Sequence, residues 1–216
     1  MFQAILLTHW KWVRLPLLVA TLAAFAVPLL SMKSVREIGN WQAAAMLDAM
    51  ASWSIFYPAL AAGLGLVLAW TAWSTDHRLN HVYALSLPVS RVRFTALRLG
   101  AGALLLAAPA GAMLLGSTIA TLTTSVPAGL TAYPLAISFR FAVTGLLAYS
   151  LFSAISAGSN RTAGVVLGLL LAMIMGDFLG TTIGFDTNIL DTFLEESFTW
   201  PSPLHLFSGR WMLVDI

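Results

Sequence analysis

Long apolar runs separated by short polar stretches dominate this chain. Five runs reach or approach the roughly 18 residues that a helix needs to cross a hydrocarbon core. They cover residues 15–30, 54–73, 99–122, 134–157 and 163–183. Because helices satisfy their own backbone hydrogen bonds in lipid, the pattern predicts an all-α, polytopic membrane protein with about five transmembrane helices.

The polar stretches before and after these runs suggest two further elements. Residues 2–14 mix basic with aromatic side chains, including Trp10 and Trp12, which favours a retained interfacial helix over a cleaved signal peptide. Residues 185–216 follow the last run, carry acidic side chains and lack a sixth full apolar run. We predict an irregular outer acidic segment there. A sixth helix is then missing or truncated, supplied by another subunit, or replaced by a segment that re-enters the membrane.

Basic residues are distributed unevenly between the two sides of this arrangement. On the N-terminal side lie Lys11, Arg14, Arg78, Arg91, Arg93, Arg98 and Arg161, and on the opposite side lie Lys33, Arg36 and Arg210. Lysine and arginine accumulate in cytoplasmic loops, so the N-terminus and residues 74–98 are predicted to be cytoplasmic. The chain is then a single transmembrane domain, residues 1–216, in the cytoplasmic membrane.

Composition narrows the function further. Hydrophobic residues make up 59% of the chain and charged residues 9%, with a mean hydropathy of +0.85, which a soluble fold of this size does not accommodate. A net charge of +2 spread over short loops argues against nucleic acid binding. The chain has no cysteine and no phosphate-binding GxxxxGK[ST] loop. We therefore predict a non-enzymatic chain without a cofactor or metal, which does not bind or hydrolyse ATP through such a loop.

The fifth run contains a small residue at every fourth position. These residues are Gly164, Gly168, Ala172, Gly176 and Gly180. On a helix they share one face and allow a second backbone to approach closely in lipid. The face is predicted to pack against another span of this chain or, alternatively, against a second copy.

Two charged residues lie inside predicted spans. Arg140 is about six residues from the outer start of the fourth run, and Asp177 is about six residues from the outer end of the fifth, so both lie ~9 Å deep. Antiparallel neighbouring helices would bring them to one level. We predict that Arg140 and Asp177 form a structural ion pair in which each neutralises the charge of the other. The alternative is that they line a substrate or ion path.

Residues 74–98 form the longest polar insert between two apolar runs. His77 and His81 have the spacing of two metal ligands on one helical face, but no third strong ligand lies near them and the arginines would repel a cation. We predict instead that a short interfacial helix begins near Asp76 and stops at Pro88, and that Ser90 caps the following helix.

The tract that runs from Leu85 to Arg91, LSLPVSR, follows an acidic residue and precedes Arg98 at the entry to the third run. With the interfacial lead-in at residues 2–14, it resembles the permease subunits of type-2 ABC exporters. The resemblance covers the order of the five runs. That family usually has six spans, and this chain shows five runs and an outer segment.

The resemblance implies a dimer of permeases, each docked through cytoplasmic loops to an ATP-binding subunit whose closure drives substrate translocation. The implied coupling residues are Asp76, His77, Arg78, Leu87, Pro88, Ser90 and Arg91, with Asn160 and Arg161 in a second loop. The implied partners are the ATP-binding subunit, a second permease copy or paralogue, and the lipid bilayer.

Two other classes of protein stay open. A structural or assembly subunit of a larger membrane complex would use the small-residue face for packing and translocate nothing. An integral membrane enzyme acting on lipid would use the outer carboxylates or His205 as acid-base groups. No convergent catalytic set supports the enzyme.

Overall fold

The computed structural model describes residues 2–37, 43–78, 90–157, 160–183 and 189–216. These residues form two compact units. The first contains Met1–Ser153 together with Arg210–Ile216, and the second contains Ala154–Gly209. Each unit is described by itself below, and the single domain predicted from the sequence stays a prediction.

Four helices in the described residues are long and apolar enough to cross a membrane. They lie within Phe2–Ser34, Ala43–Trp73, Val92–Thr123 and Pro134–Ala157. The all-α, multi-pass prediction is confirmed at this level. The fifth predicted run also forms a helix, of which Gly164–Asp177 is an apolar stretch shorter than these four.

The first helix, α1, spans Phe2–Glu37 without interruption. No break separates the predicted interfacial lead-in from the first apolar run. Pro16 and Pro28 lie inside the helix, where they are tolerated because neighbouring groups in a membrane bundle can satisfy the freed backbone carbonyls. The Ser31 hydroxyl makes a separate contact one turn after Pro28, where it donates to the Pro28 carbonyl at 2.8 Å.

The second predicted run, residues 54–73, corresponds to α3 (Phe56–Arg78), and a separate helix that the sequence did not predict, α2 (Ala43–Trp53), precedes it. The chain turns at Ser54, whose N–H donates to the Ala51 carbonyl at 3.1 Å. Pro58 lies in the first turn of α3, where its missing N–H is no loss. Helix α3 continues through Asp76 and Arg78, so the expectation that a new helix begins at Asp76 is wrong.

Helix α4 spans Arg91–Thr123 and runs in the same direction as α1, against which it packs extensively. The Phe2 ring lies near Gly100, at one end of the pair, and the backbone of Phe25 lies against Gly116, farther along both helices. At Gly116 no room remains for a side chain, because the Phe25 carbonyl occupies it. Glycine therefore permits the close approach of the two backbones.

Helix α5 spans Pro134–Ala157. It runs in the same direction as α3, because Gly145 lies near Ala61 and Ala148 lies near Gly65. A Cβ atom at Gly65 would lie 2.6 Å from the Cβ of Ala148. The Tyr149 ring, in turn, fills the space beside Gly102 of α4. The first unit is thus a bundle whose close crossings use glycines of α3 and α4, rather than the small-residue face predicted on the fifth run.

Buried hydroxyl groups link the helices of this bundle. Ser117 of α4 and Ser138 of α5 lie 3.2 Å apart through their Oγ atoms, and Ser31 of α1 lies 3.3 Å from the Tyr57 hydroxyl of α3. In lipid, where no hydrophobic effect drives helices together, such bonds contribute about 0.6–2 kcal/mol each.

A short turn connects α4 to α5 on the side opposite the 74–98 insert. The Leu130 N–H donates to the Pro127 carbonyl at 3.2 Å, and Gly129 has a φ of 92°, as the third position of a type II turn requires. Strand β1 (Thr131–Ala132) follows and pairs antiparallel with β2 (Val214–Asp215). The end of the chain thereby joins the first unit.

The second unit contains α6 (Asn160–Ile183), α7 (Ile189–Phe198) and a 3-10 helix at Pro203–Leu206. The outer segment predicted to be irregular therefore contains a regular helix. Helix α7 is amphipathic: apolar side chains, among them Phe193 and Leu194, occupy one arc of the helix. Asp191, Glu195 and Glu196 occupy the opposite arc.

Candidate functional site

The helices that flank the 74–98 insert extend into it, since α3 ends at Arg78 and α4 begins at Arg91. Ser90 is the N-cap of α4, as predicted, and its Oγ accepts the Arg93 N–H at 3.4 Å. The Phe94 N–H donates to the Ser90 carbonyl at 3.0 Å, which closes the first turn. Arg91 is the first helical residue.

The structure places the other proposed coupling residues only in part. Asp76, His77 and Arg78 occupy the last turn of α3, and Asn160 and Arg161 begin α6. Leu87 and Pro88, like His81, lie outside the described residues. Their role in coupling stays a prediction.

A cluster of aromatic side chains and one arginine joins α3 and α4 where the insert meets the second and third apolar runs. The guanidinium of Arg98 lies 4.5 Å from the ring centre of Trp73 and 5.1 Å from that of Phe94. Trp73 and Phe94 are buried, so the stacking is worth about 1–2 kcal/mol. We call Trp73, Phe94, Arg98 and Tyr149 the inner cluster.

Tyr149 extends the inner cluster to α5. Its hydroxyl donates to the Arg98 carbonyl at 3.1 Å, while its buried ring fills the space beside Gly102. The sequence analysis assigned no role to Trp73, and it treated Arg98 only as an inner basic residue at the entry to the third run. The sequence features that could have predicted this contact are an arginine eight residues after the Ser90 cap and a tryptophan near the end of α3.

Arg140 lies at the opposite end of the bundle in a second arginine–tryptophan stack. Its guanidinium is 4.4 Å from the ring centre of Trp211, and its Nη1 donates to the Arg210 carbonyl at 2.7 Å. Trp211 is 1% exposed and lies nearly parallel to the Tyr57 ring, with 6.3 Å between centres. We call Tyr57, Arg140, Arg210 and Trp211 the outer cluster.

The predicted partner of Arg140 belongs to the other unit. Asp177 lies in α6, and Arg140 lies in α5 within the first unit. Their pairing stays a prediction. The sequence analysis did not predict that segment 210–216 returns to the bundle and contacts Arg140. No periodic pattern in the sequence predicts such a return.

The small residues of α6 can be compared with the glycines of the bundle. A Cβ atom at Gly164 or Gly168 would meet nothing within 4 Å, unlike one at Gly65, Gly102 or Gly116. Large apolar side chains of α6 are also exposed, including Leu167 and Leu169. The packing role predicted for this face, which also includes Ala172, Gly176 and Gly180, stays a prediction.

The described residues offer few side chains arranged for acid-base catalysis or metal binding. No group of three histidine, aspartate or glutamate side chains able to hold a metal occurs among them. His205, the acid-base candidate of the enzyme alternative, has its Nδ1 2.9 Å from the Phe198 carbonyl and 3.0 Å from the Ser208 Oγ. These contacts fix a turn after α7.

Comparison with known proteins adds no family to this picture. No protein-family model matches the chain, and neither a curated protein nor a solved structure is significantly similar to it.

Proposed function

We propose that this chain is the membrane-spanning permease subunit of an ATP-driven exporter in the cytoplasmic membrane, where a separate subunit hydrolyses the ATP. The observation that carries the proposal is the tie between the two helices that flank the 74–98 insert. Arg98 of α4 stacks on Trp73 of α3, and Tyr149 of α5 holds the Arg98 carbonyl.

This arrangement favours transmission of force from the insert to the bundle. A motor that displaces a free loop moves the loop alone. Here a displacement at the end of α3 or at the capped start of α4 acts on two helices joined at Trp73 and Arg98, and on α5 through Tyr149. Since packed helices move as rigid elements, the three helices would tilt together.

The test is whether an ATPase binds the insert. We expect the full-length chain, purified from its native membrane, to retain an ATP-hydrolysing subunit in stoichiometric amount. Arg91→Glu should reduce the retained ATPase at least about tenfold and uncouple ATP hydrolysis from transport, because reversing a charge in an interface costs several kcal/mol. The helices should stay folded, as a loop-edge residue contributes little to packing.

Arg14→Glu is the matched control for this variant. Arg14 is exposed on α1 and is predicted to lie on the same side of the membrane as Arg91. Both variants therefore change the net charge on the predicted cytoplasmic side by the same amount. Retention of the ATPase at wild-type level in Arg91→Glu, or equal loss in both variants, would count against the proposal.

A second candidate is a structural or assembly subunit of a larger membrane complex. The open face of α6 favours it, because Gly164 and Gly168 have space for a close-packed helix and the exposed leucines around them suit a protein or lipid neighbour. The same purification separates the candidates. A redox, pigment or biosynthetic complex in place of an ATPase would support assembly.

A further inference from the structure

A cavity of about 320 Å³ opens where the start of α5 meets the returning segment 210–216. All of its lining residues belong to the first unit. Its volume is at the lower end of the range of small-molecule sites, roughly 300–1,000 Å³. The cavity lies at the end of the bundle opposite the 74–98 insert, so the proposed coupling to an ATPase does not account for it.

The charged side chains of the lining favour an anion. Two guanidinium groups, those of Arg140 and Arg210, line the cavity against one carboxylate, that of Asp215. Arg210 is 62% exposed and contacts Asp215 at 3.5 Å, a pair that such exposure makes weak. Arg140 is held in position by the Trp211 ring and the Arg210 carbonyl, so its guanidinium is oriented before any ligand arrives.

The same lining includes a buried donor without a partner. Trp211 is 1% exposed, and its indole Nε1–H has no acceptor among the described residues. Leaving such a group unpaired costs about 1–3 kcal/mol. Because the nitrogen atom itself has almost no accessible surface, it does not face the cavity, and the anion site rests on the two guanidinium groups instead.

Apolar side chains complete the lining. Ile137 and Met212 are buried, and Ala136 lies between the start of α5 and Arg140. On the neighbouring turns of α5, Leu135 and Phe139 are each 72% exposed, as side chains that face lipid are. The cavity therefore lies beside a lipid-facing surface and offers both charged and apolar contacts.

We propose that this cavity binds an anion that carries an apolar group. Its phosphate or carboxylate oxygens would lie at Arg140 and Arg210, and its apolar group against Ile137 and Met212. A lipid headgroup and a soluble organic anion share this chemistry, and the experiment below distinguishes them. The inference does not depend on the proposed exporter function.

The probe is hexyl phosphate, added to the full-length chain in an uncharged detergent. We expect saturable binding by calorimetry and a rise in the unfolding temperature. Arg210→Gln, at an exposed position, and Arg140→Lys, which keeps the charge but loses the planar fork, should each weaken binding by about tenfold or more. Lys33→Gln, which removes an exposed cation on the same predicted side, should bind as the wild type does.

The source of the anion follows from nanodiscs. Hexyl phosphate binding is measured in phosphatidylcholine nanodiscs with and without added phosphatidylglycerol. If phosphatidylglycerol does not reduce this binding, the natural ligand is a soluble anion. Competition by phosphatidylglycerol assigns a lipid headgroup, and both results support the site. Equal stabilisation by hexyltrimethylammonium, unchanged affinity in both arginine variants, or no binding of hexyl phosphate would overturn the proposal.

Discussion

The inner and outer clusters use the same pair of side chains for different connections. In each, an arginine guanidinium lies about 4.5 Å from a buried tryptophan ring, at 4.5 Å in the inner cluster and 4.4 Å in the outer. The inner stack joins α3 to α4, the helices on either side of the 74–98 insert. The outer stack joins α5 to residues that return from the end of the chain.

The difference indicates what each contact is suited for. A stack between the two helices that flank the insert makes them move together, which is what a coupling element requires. A stack that recruits a distant segment forms a cavity with charged walls, which is what a binding site requires. The following substitutions test whether the two clusters differ in this way.

The largest expected effect is that of Trp211→Ala. Removal of a fully buried tryptophan side chain costs about 3–5 kcal/mol of unfolding free energy, and here it also removes the buried side chain of segment 210–216 on which Arg140 stacks. Thermal unfolding in detergent measures the loss. Trp70→Ala is the control, because Trp70 is 71% exposed and should change stability by less than about 0.5 kcal/mol. Equal losses in both variants would contradict the outer cluster as a structural anchor.

The next effect concerns the glycine crossings. Gly116→Ala places a methyl group against the Phe25 backbone, which cannot rotate away, and should destabilise the bundle by about 3 kcal/mol. Gly102→Ala meets the tip of the Tyr149 ring, which can shift, so the expected loss is about 1–2 kcal/mol. Gly111→Ala, also on α4, meets nothing within 4 Å and should be neutral or stabilising. A Gly116→Ala protein as stable as Gly111→Ala would refute the crossing.

Asp177→Asn tests whether Arg140 has an acidic partner in addition to the contacts described above. If the two charges neutralise each other, the substitution leaves a half-buried guanidinium less compensated and should destabilise the protein by about 2 kcal/mol or abolish activity. Expression level, unfolding temperature and transport provide the measurement. Normal values for all three would remove both the pair and the alternative ion path.

The smallest effects come from two tyrosine hydroxyls. Tyr149→Phe removes the bond to the Arg98 carbonyl and should cost about 1 kcal/mol. Tyr57→Phe removes the longer contact with Ser31, at 3.3 Å, and should cost about 0.5 kcal/mol. Only Tyr149→Phe should also lower coupling between ATP hydrolysis and transport. A larger coupling defect in Tyr57→Phe would reverse the assignment of the two clusters.

The sequence predicted the helices well because apolar length alone determines which segments can span a membrane. Residues 54–73 and 134–157 correspond closely to α3 and α5. The Ser90 cap was also predictable, since a side-chain acceptor before a helix is a local feature.

The sequence did not predict the contacts that depend on tertiary structure. The regular small residues of α6 were expected to pack against another span or a second copy, which stays a prediction. The described close crossings use Gly65, Gly102 and Gly116, which follow no repeat and which the sequence analysis did not single out. The role of Trp211 depends on a return of the chain from outside the helices. Neither the helical period nor the strand period marks such a return, and the two-residue strand β2 is too short to show a pattern.

The most direct test of the central claim locates the hairpin between α3 and α4 and identifies its neighbour. Because the chain contains no cysteine, Val92→Cys and Ser125→Cys introduce unique thiols at exposed positions, near the two ends of α4. In intact cells, we predict that a membrane-impermeant maleimide labels Ser125→Cys and not Val92→Cys. In isolated membranes, a short thiol-to-amine cross-linker should join Val92→Cys to an ATP-hydrolysing subunit. Labelling of Val92→Cys from outside, or no adduct with an ATPase, would contradict the proposed coupling.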